Sequence, residues 1–164
     1  MALIPNDIEK ILRDQYILFI NTTPSGTATW KPVGIGVTDL SISYNPQVDT
    51  EKWILERNAR SDHSSNQKQT TVTQKAYKND PVFEFVEAGR DVLNYKTEIL
   101  EVDTWNGTGT TTVVYPAKKS DGLITVTSYM GDTGQIEYDL YFSGDAVEGT
   151  VTLTDGVPTF TPSA

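Results

Sequence analysis

The chain has 164 residues, no cysteine, and a formal net charge of -9 from 22 acidic against 13 basic residues. That length suits one domain able to bury roughly two-thirds of the surface its unfolded form exposes, and the missing cysteines remove disulfides, thiolate metal sites and cysteine nucleophiles. So acidic a surface repels nucleic-acid phosphates rather than recruiting them. No apolar run approaches the roughly 18 residues of a membrane span. The opening MALIPNDIEK lacks the basic region and apolar block of a signal peptide, so a protein made in the cytosol is expected.

Residues 1–15 carry a short amphipathic pattern, with Asn6 or Asp7 placed to cap and Ile8, Ile11 and Leu12 at helical spacing. A helix this short needs to dock, on its own domain or on a neighbour. Residues 16–20 (YILFI) read as a strand covered on both faces. Residues 21–36 (NTTPSGTATWKPVGIG) hold two prolines and three glycines and read as loop, with Trp30 exposed in it. Residues 37–44 (VTDLSISY) set Leu40, Ile42 and Tyr44 against Asp39, Ser41 and Ser43, the alternation of a half-buried strand.

At Asn45-Pro46 the chain leaves on a polar excursion over residues 47–67 and returns through 68–77 (KQTTVTQKAY), where only Val72 and Ala76 supply small apolar side chains before Tyr77. A connection longer than twenty residues is unusual inside a compact domain and marks a functional or partner-ordered segment. Trp53, Ile54 and Leu55 form an apolar knot within it, to be buried either on the chain's own domain or in a partner. Residues 58–67 are wholly polar, and the polar composition of the arm over 47–67 is expected to make it mobile until it binds.

Asp80 then offers an N-cap, Pro81 fits the first helical position, and Glu84 sits in the first turn. Val82, Phe83, Phe85, Val86 and Leu93 supply an apolar side and Gly89 an early end, so a helix over 81–90 should pack on one face of a sheet. The remainder reads as strands and turns: 97–105, an Asn106-Gly107 hairpin into 110–115, Asp121-Gly122 before 123–129, a turn at 131–134, then 135–142 with Ile136, Tyr138, Leu140 and Phe142 opposite Glu137 and Asp139. Gly144-Asp145 turns into 147–153, and Asp155-Gly156 precedes a Pro-containing tail over 157–164. The expected fold is mainly β, a β-sandwich or barrel with one flanking α-helix and a long β-hairpin-like arm, in a single domain of residues 1–164.

No chemistry stands out. His63, the sole histidine, lies in the most polar part of the excursion, where nothing holds a base in register. Glu137 and Asp139 are two apart on one strand face and do not straddle a bond as glycosidase carboxylates must; a solvated acidic face accounts for them. The Asp-rich turn 131–134 lacks an EF-hand ladder, and Gly107-Thr108-Gly109 opens no helix for phosphate. The reading is therefore of a non-enzyme with no catalytic, cofactor-binding or metal residues. An alternative is a carbohydrate-binding β-sandwich using Trp30, Trp53 or Trp105 as a stacking platform.

The order of these features resembles the major tail protein, or tail tube protein, of long-tailed siphophages. The likeness rests on the opening strand, Trp30-Lys31-Pro32 leading through VGIGV, the segment TDLSISYNPQVDTEKWI, the long polar arm, and AYKNDPVFEF, together spanning about residues 16–105. It implies a virion protein, made in the host bacterial cytoplasm, that forms hexameric rings stacked into a hollow tube for genome ejection. Its partners would be copies of itself and other tail proteins (tape measure, tail terminator, distal tail protein), with DNA only in transit, no membrane and no cofactor. The resemblance makes residues 45–67 an inter-ring loop, with Gln47, Val48, Trp53, Ile54, Leu55, Arg57, Arg60 and His63 as contact candidates. Residues 1–15 and 157–164 become secondary contacts. Asp39, Ser41, Ser43, Glu137 and Asp139 are candidates for lining the lumen.

Overall fold

In the computed structural model, which describes residues 7–164, every strand pairing is antiparallel. The strands are β1 (Tyr16–Asn21), β2 (Trp30–Pro32), β3 (Pro46–Glu51), β4 (Arg60–Asn66), β5 (Gln69–Lys75), β6 (Tyr95–Asp103), β7 (Val114–Tyr129), β8 (Gln135–Thr154) and β9 (Val157–Pro162); α1 spans Pro81–Ala88. One sheet runs β2-β1-β6-β7-β8, and the far edge of β8 is shared, its first part pairing with β5 and its last with β9. The protein is mainly β, and this sheet is barrel-like and nearly closed. β3 and β4 form a separate two-stranded sheet.

Alternation along β1 explains its continuous apolar composition. Leu18 and Ile20 enter a larger core with Val72, Ile99, Ile124, Ile136, Tyr138 and Leu140, which α1 covers with Val82, Phe83 and Val86. Ile17 and Phe19 point the other way, onto Leu100, Val102, Ala117 and Val151. Burial on both faces is thus the arrangement expected of residues 16–20.

The helix begins as its cap requires. The Asp80 carboxylate accepts from the Val82 N–H at 3.1 Å, with Pro81 following it. Gly89 ends the helix, where an added Cβ would lie 2.0 Å from the Tyr95 ring. Asp80 also takes a bond from Gln74 Nε2 at 2.6 Å, while Tyr138 donates to Gln74 Oε1 at 3.1 Å, so the cap is tied into the buried face of β5 and β8. Asp80→Ala is expected to cost about 2–3 kcal/mol, the loss of a cap plus a buried donor left without its acceptor. A urea midpoint unchanged by this substitution would show the cap to be idle.

Several sequence expectations need correction. Among the described residues of 1–15 there is no α-helix, only a single 3-10 turn at Arg13–Gln15; Ile8, Ile11 and Leu12 stay more than half exposed, and so short a segment does not sustain a helix by itself. Asn6, the alternative cap, lies outside the described residues. Residues 37–44 are not a strand. They touch the edge of β5 only through the bridges Val37↔Gln74 and Ser43↔Gln69, and the Thr70 hydroxyl, rather than a ladder N–H, takes the Ser41 carbonyl. Leu40 is nonetheless buried, as the alternation required.

Trp30 is not in open loop: it lies in β2, paired to β1, half-buried against the second core. Leu93, expected on the apolar side of the helix, is 91% exposed beyond its end. Asn106-Gly107 makes no hairpin; a 3-10 turn at Thr104–Asn106 leads to a loop closed by the bridge Thr108↔Val114, and β7 begins there. Asp121-Gly122 and Gly144-Asp145, which look like turns, lie inside β7 and β8. Lys119 pairs with Val147 and Asp121 with Ser143, so residues 144–146 bulge opposite Ser120 and the hairpin bends instead of reversing. Gly122 is required by packing, because a Cβ there would meet Ile99 Cδ1 at 2.6 Å. The tail over 157–164 is largely β9, joined to β8 through Asp155 and Gly156 at φ 51 and 79, the positive pair of a two-residue hairpin turn.

Candidate assembly surfaces

The excursion is a paired hairpin. β3 and β4 align Gln47 with Ser65, Val48 with His63 across a bulge, Thr50 with Ser61 and Glu51 with Arg60, and every residue of both strands is exposed. Asn45, at φ 43, directs the chain outward, and Gln67 N–H to Tyr44 O at 2.9 Å closes the root. A two-stranded hairpin alone is marginal in water, and here Asp49 faces Asp62 directly, a like-charge pair that weakens it further. At the tip the apolar knot does not fold back: Ile54 is 98% exposed and Leu55 95%.

All eight contact candidates sit on this arm, but they are not equally available. Arg60 stacks over the Trp53 ring at 4.2 Å and pairs with Glu56, and Trp53 Nε1 donates to Glu51 at 3.0 Å. Gln47 bonds the Asn45 carbonyl, and one nitrogen of His63 faces both Ser65 O and Asn66 Oδ1. Val48, Ile54, Leu55 and Arg57 have no such internal bonds among the described residues, and all four are exposed.

The root of the arm holds a group that sequence reasoning missed. Glu101, on β6, is only 7% exposed; Tyr16 Oη donates to its Oε1 at 2.6 Å, and Lys68 Nζ lies 2.5 Å from its Oε2. Lys68, the residue after the arm, also lies 5.2 Å from the ring centre of Tyr44 and 4.5 Å from that of Phe142. Burial, then the neighbouring Glu101 charge, pushes the Tyr16 hydroxyl well above the usual tyrosine range. Burial raises Asp103 in the same direction, with Glu101 second. The available signal was an acid set between Leu100 and Val102 in a strand apolar on both faces, with a lysine at the return of the excursion.

A second surface is polar. On the outward face of β5 and β8, Thr71 donates to Asp139 at 2.6 Å and Thr73 to Glu137 at 3.1 Å, so the two carboxylates are bound into a ladder of hydroxyls. The Ser43↔Gln69 bridge sets Ser43 on this same face, since paired residues share a side. Asp39 and Ser41 are exposed on the irregular crossing segment, and Asp39 lines a cavity with Asp14.

The three tryptophans lie apart: Trp30 in the second core, Trp53 beneath Arg60, and Trp105 beside Ile11, Leu12 and Leu40 in a groove. They make no common stacking platform. Among the described residues no three His, Asp or Glu side chains come together as a metal-binding group. The described residues define a mainly β protein with a nearly closed barrel-like sheet, one α-helix and a projecting hairpin. No protein-family model matches it, and no curated protein matches it.

Proposed function

We propose that this chain is a structural subunit that assembles with its own copies into hexameric rings, stacked as the hollow tail tube of a long-tailed phage, through which DNA passes to the host. The observation that carries the reading is the arm: two strands exposed along their whole length, ending in Ile54 and Leu55 with no cover. Apolar side chains held that far from any core call for a partner surface. The feature order resembling tail tube proteins supports a second copy as that partner, with tape measure, terminator and distal tail proteins at the ends of the tube.

The hydroxyl and carboxylate ladder of Thr71, Thr73, Glu137 and Asp139 supports a channel wall. Across water and counterions each repulsion of a phosphate is about 1 kcal/mol or less, and it fades within ~8–10 Å, but it recurs with every subunit. Such a wall lets DNA slide without sticking. The function needs no catalytic residue and no cofactor. Negative-stain microscopy of the purified protein is expected to show rings or tubes. Monomers alone, at high concentration and with the other tail proteins present, would overturn the proposal.

A further inference from the structure

Asn106-Gly107 carries the residues of a tight turn and is not used as one: the pair lies where the 3-10 turn over Thr104–Asn106 gives way to the loop closed by Thr108 and Val114. Both residues are exposed. The Gly107 N–H, placed to close the 3-10 turn, makes no hydrogen bond of good geometry, and the Asn106 amide takes part in no side-chain hydrogen bond among the described residues. Asn21 and Asn45, by contrast, have their amides engaged, Nδ2 of Asn21 by Glu98 at 2.9 Å and Nδ2 of Asn45 by the Gln67 carbonyl at 3.1 Å. Packing keeps the exposed pair in the sequence. A Cβ on residue 107 would lie 2.7 Å from Val113 Cγ1 and 2.8 Å from the Tyr115 ring, so glycine alone fits after Asn106. No other asparagine in the chain is followed by glycine. We infer that Asn106 is a site of self-modification, at which the Gly107 nitrogen displaces the side-chain amide as ammonia and leaves aspartate or isoaspartate.

Solvent base removes the Gly107 amide proton, and the nitrogen attacks Asn106 Cγ; with no Cβ on residue 107 the approach is open. The new C–N bond closes a five-membered imide, the Cγ–Nδ2 bond breaks, and ammonia leaves with a proton from solvent. Water then adds to one of the two imide carbonyls. Opening at one restores the main chain and leaves aspartate; opening at the other routes the main chain through Cβ, as isoaspartate. The balance is asparagine and water to a carboxylate and ammonium, with no oxidant or reductant. Each event adds one negative charge to the formal -9. The extra main-chain atom of isoaspartate falls between two anchors: the Thr104 hydroxyl donates to the Gln15 carbonyl at 2.8 Å, and Thr108 is bonded both ways to Val114 at 2.9 Å. The change is therefore confined to the loop, and it does not depend on the tube proposal.

Trypsin releases residues 97–118 as one peptide in which Asn106 carries the only side-chain amide. The purified full chain, held at mildly alkaline pH and physiological temperature, is expected to gain about 1 Da in that peptide, with both isomers resolved by chromatography and isoaspartate labelled by an isoaspartate-specific methyltransferase. An acidic form should accumulate on ion exchange at the same rate. That rate should rise severalfold when the pH is raised by one unit, because the attacking species is the deprotonated amide. Asn106→Gln, which would have to close a six-membered ring, is expected to slow the mass gain at least about tenfold. A folded chain whose peptide keeps its mass, while the isolated peptide 97–118 reacts fully, would show that the loop holds the two groups apart and would overturn the inference. Aspartate formed without isoaspartate, or a rate unchanged in Asn106→Gln, would mean direct hydrolysis of the side chain and overturn the imide route.

Discussion

Lys68→Met is expected to lower the free energy of unfolding by about 3–5 kcal/mol, because it strands the Glu101 carboxylate in a site where it is 7% exposed. The Tyr16 hydroxyl remains as one donor to that carboxylate, while Lys118, opposite Glu101 across β6 and β7, is paired with Glu148. For a domain of this length the loss corresponds to a fall in Tm of roughly 6–20 °C. Adding Glu101→Gln removes the buried charge while keeping an acceptor for Tyr16, so the double variant should recover most of the loss. A Lys68→Met protein within about 1 kcal/mol of the parent would show that the pair is solvated and behaves as a surface bridge.

The same group sets an alkaline limit. Tyr16 is held in its neutral form by burial and by Glu101, so its folded pKa lies above the unfolded value of about 10. Its contribution is complete below that unfolded value and is lost as pH rises beyond it, because the unfolded chain then releases a proton that the folded chain keeps. Buried Tyr138 acts in the same sense. Tyr16→Phe is expected to reduce the slope of stability against pH above 10 by up to about 1.4 kcal/mol per unit. A slope left unchanged would place the alkaline loss elsewhere.

Local chemistry carried the readings that proved correct. Asp80, Pro81 and Gly89 bound a helix by rules that act within one turn, and YILFI is buried on two faces because nothing else in its composition could face water. The misreadings share a physical cause. Asp121-Gly122 and Gly144-Asp145 carry the residues of a turn, yet their role depends on the strand opposite: Gly122 makes room for Ile99, and Gly144 opens a bulge facing Ser120. Glu98, Glu101 and Asp103 look equivalent along one strand, and Glu98 meets Lys119 as Glu101 meets Lys68, but only the Glu101 pair is buried. Sequence alternation in residues 37–44 placed Leu40 inward while giving no sign that the backbone would leave the ladder. For the candidate surfaces, the length and polarity of the excursion were legible; that its apolar tip stands clear of its own domain depends on the whole fold and was not.

Replacing residues 47–66 by two glycines is expected to leave the barrel intact and abolish tube growth. Gln67 N–H bonds the Tyr44 carbonyl at 2.9 Å at the root, so a short turn of Asn45, Pro46 and the two glycines can join the ends without moving Tyr44 or Lys68. None of the strand residues removed is buried, and shortening the connection stabilises the folded state by about 1–1.5 kcal/mol through loop closure. The monomer should therefore melt cooperatively at or slightly above the parent temperature while sedimenting as a single species. Amides of β3 and β4 in the intact protein, exposed and facing a repulsive Asp49–Asp62 pair, should exchange rapidly in the monomer and slowly after assembly. Loss of the cooperative transition on deletion would mean that the hairpin supports the barrel. Tubes that still grow without it would mean that stacking depends on another face, and the exposure of Ile54 and Leu55 would need a different partner.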